Sequence, residues 1–258
     1  MNRFLHCFSS FVIITCLLIA APVAQATVIH SNVMGATVVF TGITEGSPTG
    51  DPEPLYGQPS ANGDTLIFPT TSNFNASSLD GLASDQTDGK LSLMIRAKNG
   101  FAISSFSITE NGLTSLSAPF GGDAYTEAVA FAVVKVVEIA GAPVSLPSFQ
   151  AFLGITPLGG QYQLSVIGGT SYNSGWTGTV NLGLPLDTTK VNVTLDNNLF
   201  AATSGAATRA FIDKKAFEID VKTKDLIPND IPEPATFLLG LVALVGVNLS
   251  TFRRQGAF

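Results

Sequence analysis

Residues able to do chemistry are scarce in this chain. Two histidines, His6 and His30, and two cysteines, Cys7 and Cys16, are all it contains, and only His30 lies beyond the first apolar tract. A thiol nucleophile, a disulfide or a Cys/His zinc site is therefore excluded from the body of the chain. A Ser-His-Asp hydrolase would have to use His30, close to a new amino terminus at Thr27. A mobile terminus holds no imidazole reliably within hydrogen-bond reach of a serine. No lysine has a serine three positions before it, so the Ser-x-x-Lys arrangement is absent too. Glu218 and Asp220 would share one strand face, but Lys222 beside them makes that face a solvated edge. No catalytic residue is assigned. The separation of paired carboxylates for glycoside hydrolysis is set by the fold, so that chemistry stays open.

Binding chemistry has more to work with. Residues 27 to 89 carry Glu45, Asp51, Glu53, Asp64, Asp80, Asp85 and Asp88 without one Lys or Arg. Asp80, Asp85 and Asp88 are close enough in the chain to converge in one loop, and hard oxygen ligands on a flexible turn are what Ca²⁺ takes. No other cofactor is implied. Asp-Gly pairs also make turns with no metal at all. For sugar binding the candidates are exposed aromatics: Tyr172, at the tip of a Gly/Ser-rich loop, and Tyr56, on a proline-rich one. Trp176 falls in register with Val180, Leu182 and Leu184, which places its ring in the core.

Only 12% of the 258 residues are charged, against about a quarter in an average domain. Part of the deficit sits at the two ends, residues 1–26 and 232–258, where Arg3, Glu233, Arg253 and Arg254 are the only charged residues. Between them the acidic residues outnumber the basic ones, so a nucleic-acid partner, which needs clustered Lys and Arg, is not expected. Arg3 precedes an apolar run that reaches Ala21, and Ala24-Gln25-Ala26 puts small residues before Thr27. This is the pattern of a signal peptide over 1–26, cut after Ala26 by signal peptidase. At the other end Ala235 to Phe252 would span about 27 Å as a helix, just enough for the bilayer core. Arg253 and Arg254 would stay cytoplasmic, which puts the middle of the chain outside the inner membrane.

Pro232-Glu233-Pro234, one short hydrophobic helix over 235–252 and the closing Arg253-Arg254 together resemble the PEP-CTERM sorting signal of Gram-negative bacteria. The resemblance covers 232–258 only. It implies recognition by an exosortase, removal of the helix, and delivery to the cell surface or the exopolysaccharide matrix. The domains in front of this signal vary widely, so no activity is carried over.

From Thr27 to Lys222 apolar residues recur with period two between Gly, Asn, Asp and Pro. Leu91, Leu93 and Ile95 alternate with polar neighbours, and Asn99-Gly100 signals a hairpin into Phe101 and Ile103. Glu127 to Ile139 suits a long strand in mid-sheet, or a buried helix. Further strands are expected at Met34 to Ile43, Thr65 to Phe68, Gln161 to Ile167, Trp176 to Leu184, and around Val193 and Ile219. Glu45 to Gly63, rich in proline, should be an irregular loop, and 223–231 a tether. The expected fold is all-β: an antiparallel β-sandwich of jelly-roll character over 27–222. The function this favours is a structural or adhesive module, with a carbohydrate-binding module as the alternative and a secreted glycoside hydrolase as a third class.

Overall fold

The computed structural model describes residues 27–226. The expected signal peptide with Ala24 and Ala26, the Pro232-Glu233-Pro234 motif, the 235–252 helix, and Arg253 and Arg254 lie outside the described residues.

Sixteen antiparallel strands account for most of the described chain. They are β1 (Val28–Ile29), β2 (Val33–Met34), β3 (Val38–Gly46), β4 (Ser60–Asn62), β5 (Thr65–Phe68), β6 (Asn75–Leu79), β7 (Asp85–Ala97), β8 (Phe101–Ser117) and β9 (Asp123–Ile139), then β10 (Ala142–Pro143), β11 (Phe149–Phe152), β12 (Gly154–Thr156), β13 (Gln161–Gln163), β14 (Ser171–Gly183), β15 (Thr188–Ser204) and β16 (Arg209–Asp225). One sheet, here called A, runs β1-β3-β7-β15-β9-β10, with β11 and β13 also on β9 and β2 on β3. The other, sheet B, runs β12-β14-β8-β16-β5-β4, with β6 on β16. The long strands alternate between the two: β7, β9 and β15 belong to A, and β8, β14 and β16 to B.

Period-two patterning explains the layering, because each strand turns alternate side chains inward. Phe40, Leu91, Leu93, Ile95, Val191, Val193 and Leu195 of sheet A meet Phe106, Ile108, Phe217, Ile219 and Val221 of sheet B in one buried core. The all-β sandwich expected from the sequence is present. Trp176 lies in the core as its register required, and 127–139 is strand rather than helix.

Four local expectations need correction. Asn99-Gly100 does turn the chain, with Phe101 N–H donating to the Lys98 carbonyl and Gly100 at φ +86°, but β7 and β8 lie in different sheets. The turn is an arch between sheets and not a hairpin, since turn chemistry fixes the reversal without choosing the partner. Met34 to Ile43 is interrupted at Gly35, so that β2 folds back on β3. Gln161 to Ile167 holds only a short strand, β13, before one helical turn over Leu164–Ile167. Finally, β16 continues through Thr223, Lys224 and Asp225, each paired with β8, so the three residues expected to open the tether belong to the sandwich.

Candidate functional site

The outward faces of the two sheets differ. On sheet B the outward positions of β8 and β14 are mostly polar, with Ser105, Ser107, Thr109, Asn111, Ser115, Thr177, Thr179 and Asn181, and the apolar Leu113 exposed among them, the largely hydrophilic surface expected where an antiparallel sheet faces water. On sheet A the outward positions of β9 are Tyr125, Glu127, Val129, Phe131, Val133, Lys135 and Val137, while its inward ones are mostly small, with Ala128, Ala130 and Ala132. The bulk of β9 thus points away from the core.

Strand register sets this face out in rows. Asp196 stands between Lys90 on β7 and Phe131 on β9, and Phe152 of β11 lies beyond Phe131. The row on one side has Asp88, Asn198 and Val129, and on the other Ser92, Thr194, Val133 and Gln150. The Phe131 and Phe152 rings are 5.7 Å apart and tilted by 50°, with Phe152 66% exposed. Tyr125 and Phe200 form a second ring pair, 6.0 Å apart. Burial, followed by the bond and charge of Glu127, pushes the Tyr125 hydroxyl up to about 12, so it is a neutral donor at any physiological pH. A depression lined by Thr44, Gly46, Pro48, Lys90 and Ser92 continues the face toward β3. Aromatic and aliphatic surface interleaved with amide, hydroxyl and carboxylate groups is the make-up of a binding platform.

The residues singled out from the sequence are elsewhere. Tyr56 is fully buried, its ring edge-on to Phe68, Phe74 and Phe217 at 5.2 to 5.9 Å. The proline-rich segment therefore tucks Leu55 and Tyr56 into the core instead of presenting them, and Tyr56 is no sugar platform. Tyr172 lies within β14, half-buried and stacked at 6.0 Å on buried Tyr162, so it is not a loop tip. Asp80, Asp85 and Asp88 do not converge. Asp80 is in the turn after β6, Asp85 accepts from Ser77 N–H at 2.7 Å, and Asp88 is an odd number of positions from Asp85 on β7, facing the opposite side. Among the described residues no group of three or more His, Cys, Asp or Glu is placed to hold a metal ion. His30 is not on a mobile terminus: its Nε2 lies 2.9 Å from Glu45 Oε1 in the core. Glu218 is exposed and Asp220 pairs with Lys222 at 2.7 Å, but β16 lies between β8 and β5, so these residues stand on the solvated face of an inner strand and not on an edge.

Sequence reasoning missed a buried polar cluster. Lys214, Glu110 and Asn197 are each no more than 2% exposed. Lys214 Nζ donates to Glu110 Oε2 and, at 2.5 Å, to Asn197 Oδ1. Asn197 Nδ2 donates to the Tyr56 hydroxyl at 2.9 Å, and that hydroxyl donates to the Gly89 carbonyl at 3.0 Å. Burial drives the Lys214 amine below its usual range, and the Glu110 carboxylate opposes the shift. A β-bulge makes the arrangement possible: the β16–β8 register slips between Lys214 and Ala216, so Asp213 and Lys214 are consecutive and both buried. The signal in the sequence was Lys214-Lys215 interrupting an otherwise alternating strand.

No protein-family model matches the chain, and no curated relative does. Among solved structures it is similar to the carbohydrate-binding module TmCBM61 in complex with β-1,4-galactotriose, at 10% identity over 79% of this chain and 90% of that one, with a TM-score of 0.22. It is also similar to the enzymatically active domain of tailspike protein 4 of bacteriophage CBA120, at 8% identity and a TM-score of 0.21, over 77% of this chain but 19% of that one. Neither superposition is close enough for a shared function to follow.

Proposed function

We propose that this is an exported protein of the cell surface or exopolysaccharide matrix whose jelly-roll-like β-sandwich is a structural and adhesive module without enzymatic activity. The observation that carries the reading is the contrast between the sheet faces: mostly polar on β8 and β14 of B, aromatic and aliphatic on A around Phe131, Phe152, Tyr125 and Phe200. The carbon–hydrogen faces of pyranose rings pack on aromatic rings, and their hydroxyls suit Asn192, Asp196 and Asn198 in the rows alongside. His30 with Glu45 and Lys214 with Glu110 are closed into the core, so neither pair is open to a bound sugar.

Export rests on the terminal segments. In this reading signal peptidase cuts after Ala26, the C-terminal helix holds the precursor in the inner membrane, and an exosortase acting on Pro232-Glu233-Pro234 releases it. Replacing these three residues with alanine should leave translocation intact and stop release of the domain. Release at the wild-type rate would make the triad a simple entry into the helix.

Binding is tested with the purified full chain on a glycan array, beside Phe152→Ala and Phe131→Ser. The expected result is polysaccharide binding that falls at least tenfold in both variants while their far-UV circular dichroism is unchanged. A defined affinity for one sugar would make the domain a carbohydrate-binding module. Binding indifferent to both substitutions would remove sheet A from the proposal.

A further inference from the structure

Lys214, Asn197 and Glu110 bring an amine, a carboxamide and a carboxylate together inside an apolar core. With Lys214 Nζ at 2.5 Å from Asn197 Oδ1 and a C=O bond of about 1.23 Å, the amine nitrogen lies no more than about 3.7 Å from the carboxamide carbon. That approaches the separation of about 3 to 3.5 Å from which bonds form. The carboxamide is held still, because its Nδ2 is committed to the Tyr56 hydroxyl and its oxygen faces the lysine. The surroundings are aromatic: Phe74, Tyr56 and Phe217 present their rings to Nζ at 4.6, 5.5 and 5.7 Å.

Charge separation is expensive here. An ammonium and a carboxylate in a low-dielectric core can lower that cost by passing the proton across, leaving a neutral amine and a neutral carboxylic acid. The neutral amine is a nucleophile, and the acid beside it is the proton donor that a departing amide nitrogen requires. The carboxamide oxygen that satisfies a second N–H of Lys214 also brings its carbon close to the amine.

We propose that Lys214 and Asn197 become joined by an intramolecular isopeptide bond, with Glu110 as the catalytic proton carrier. Glu110 takes a proton from the Lys214 ammonium, and the freed lone pair on Nζ forms a bond to Asn197 Cγ while the carbonyl π pair moves to Oδ1. Glu110 then gives its proton to Nδ2 and takes one from Nζ. The Cγ–Nδ2 bond breaks as the electron pair on Oδ1 re-forms the carbonyl, and ammonia leaves. One amine and one carboxamide become one secondary amide and one ammonia, with no oxidant, reductant or further reactant. The product ties β15 of sheet A to β16 of sheet B through the centre of the sandwich. Both cysteines lie in the first tract, at Cys7 and Cys16, so this is a covalent strut in a domain without thiols.

The test is a peptide map, independent of how the chain ends are processed. The folded full chain, incubated so that a single turnover can finish, is denatured and digested with trypsin. The expected product is one branched species in which peptide 191–209 is joined to 210–215, uncut after Lys214 and lighter than the two peptides by one ammonia. Recovery of 191–209 at full mass, together with cleavage after Lys214, would overturn the bond. Glu110→Gln removes the proton carrier while keeping the shape, and should reduce the branched species at least a hundredfold. A branched species at wild-type yield in that variant would remove Glu110 from the reaction.

Discussion

Gly112 pairs with Lys214 at the bulge in β16, and a Cβ placed on it would stand 1.8 Å from the Asp213 carbonyl oxygen and 2.6 Å from the Trp176 indole. The same carbonyl accepts from Trp176 Nε1 at 3.2 Å. The missing side chain therefore lets three things coincide: the bulge that turns Lys214 inward, the ring that covers it, and the bond that locks the two. Gly112→Ala should cost about 3 kcal/mol or more, since backbone and a large ring must both move. Gly183→Ala, on β14 with no atom near the added methyl group, should stay within about 0.5 kcal/mol of wild type. Urea unfolding of the two variants checks the pair, and similar losses would show that the bulge tolerates a Cβ.

Much of the layering was legible from alternation alone. Leu91, Leu93 and Ile95, or Trp176 and Leu182, reach the core because a strand offers only two faces and the sequence marks one of them apolar. What alternation does not encode is which sheet receives the next strand, so Asn99-Gly100 gave the reversal and concealed the arch. Nor does composition reveal that a proline-rich segment closes over the sandwich: Tyr56 looks exposed from its neighbours and is buried because Glu45 accepts its N–H at 2.7 Å and that of Leu55 at 3.0 Å. The aromatic face of sheet A did leave a trace. Both parities of β9 are apolar, Phe131 and Val133 as well as Ala130 and Ala132, which a strand with one wet face does not need. The Lys214 cluster left least, because a bulge changes parity without changing composition.

Glu45 carries the covering segment through both carboxylate oxygens. Oε1 meets His30 Nε2 at 2.9 Å, and Oε2 accepts the two backbone N–H groups of Leu55 and Tyr56. Glu45→Ala would strand two buried amides and the imidazole together, at a cost of about 3 kcal/mol. Because the loss is local, limited proteolysis should begin within residues 47–59 before the rest of the domain is cut. Cleavage elsewhere first would mean that the segment is held by its apolar contacts.

Tyr56→Phe keeps those apolar contacts and removes one oxygen. Asn197 Nδ2 and the Gly89 carbonyl both lose their partner in the core, which should cost about 1 to 3 kcal/mol. The same variant frees the carboxamide to turn, so the branched tryptic species should decline with it. Full stability in Tyr56→Phe would show that the hydroxyl orders nothing.

Asp88 gives the domain a pH dependence of unusual sign for a carboxylate. Burial first, then the charges of Asp196 and Asp51, raise it from 3.8 to about 6, with Lys90 opposing. Its Oδ1 is buried and has no hydrogen-bond partner. Between about pH 4 and 6 the folded protein therefore holds more protons at this position than the unfolded chain does, and stability falls as pH rises through that window. The penalty is fully present at neutral pH and gone below about pH 4. A shift of two units corresponds to about 3 kcal/mol, but the side chain is partly open to solvent, and screening reduces the effect to about 1 kcal/mol. Asp88→Asn removes the charge without changing the shape. It should raise the urea midpoint at pH 7.5 and leave it nearly unchanged at pH 4, so that the variant's stability varies less across the window than that of wild type. An equal gain at both pH values would assign the effect to packing and not to ionisation of Asp88.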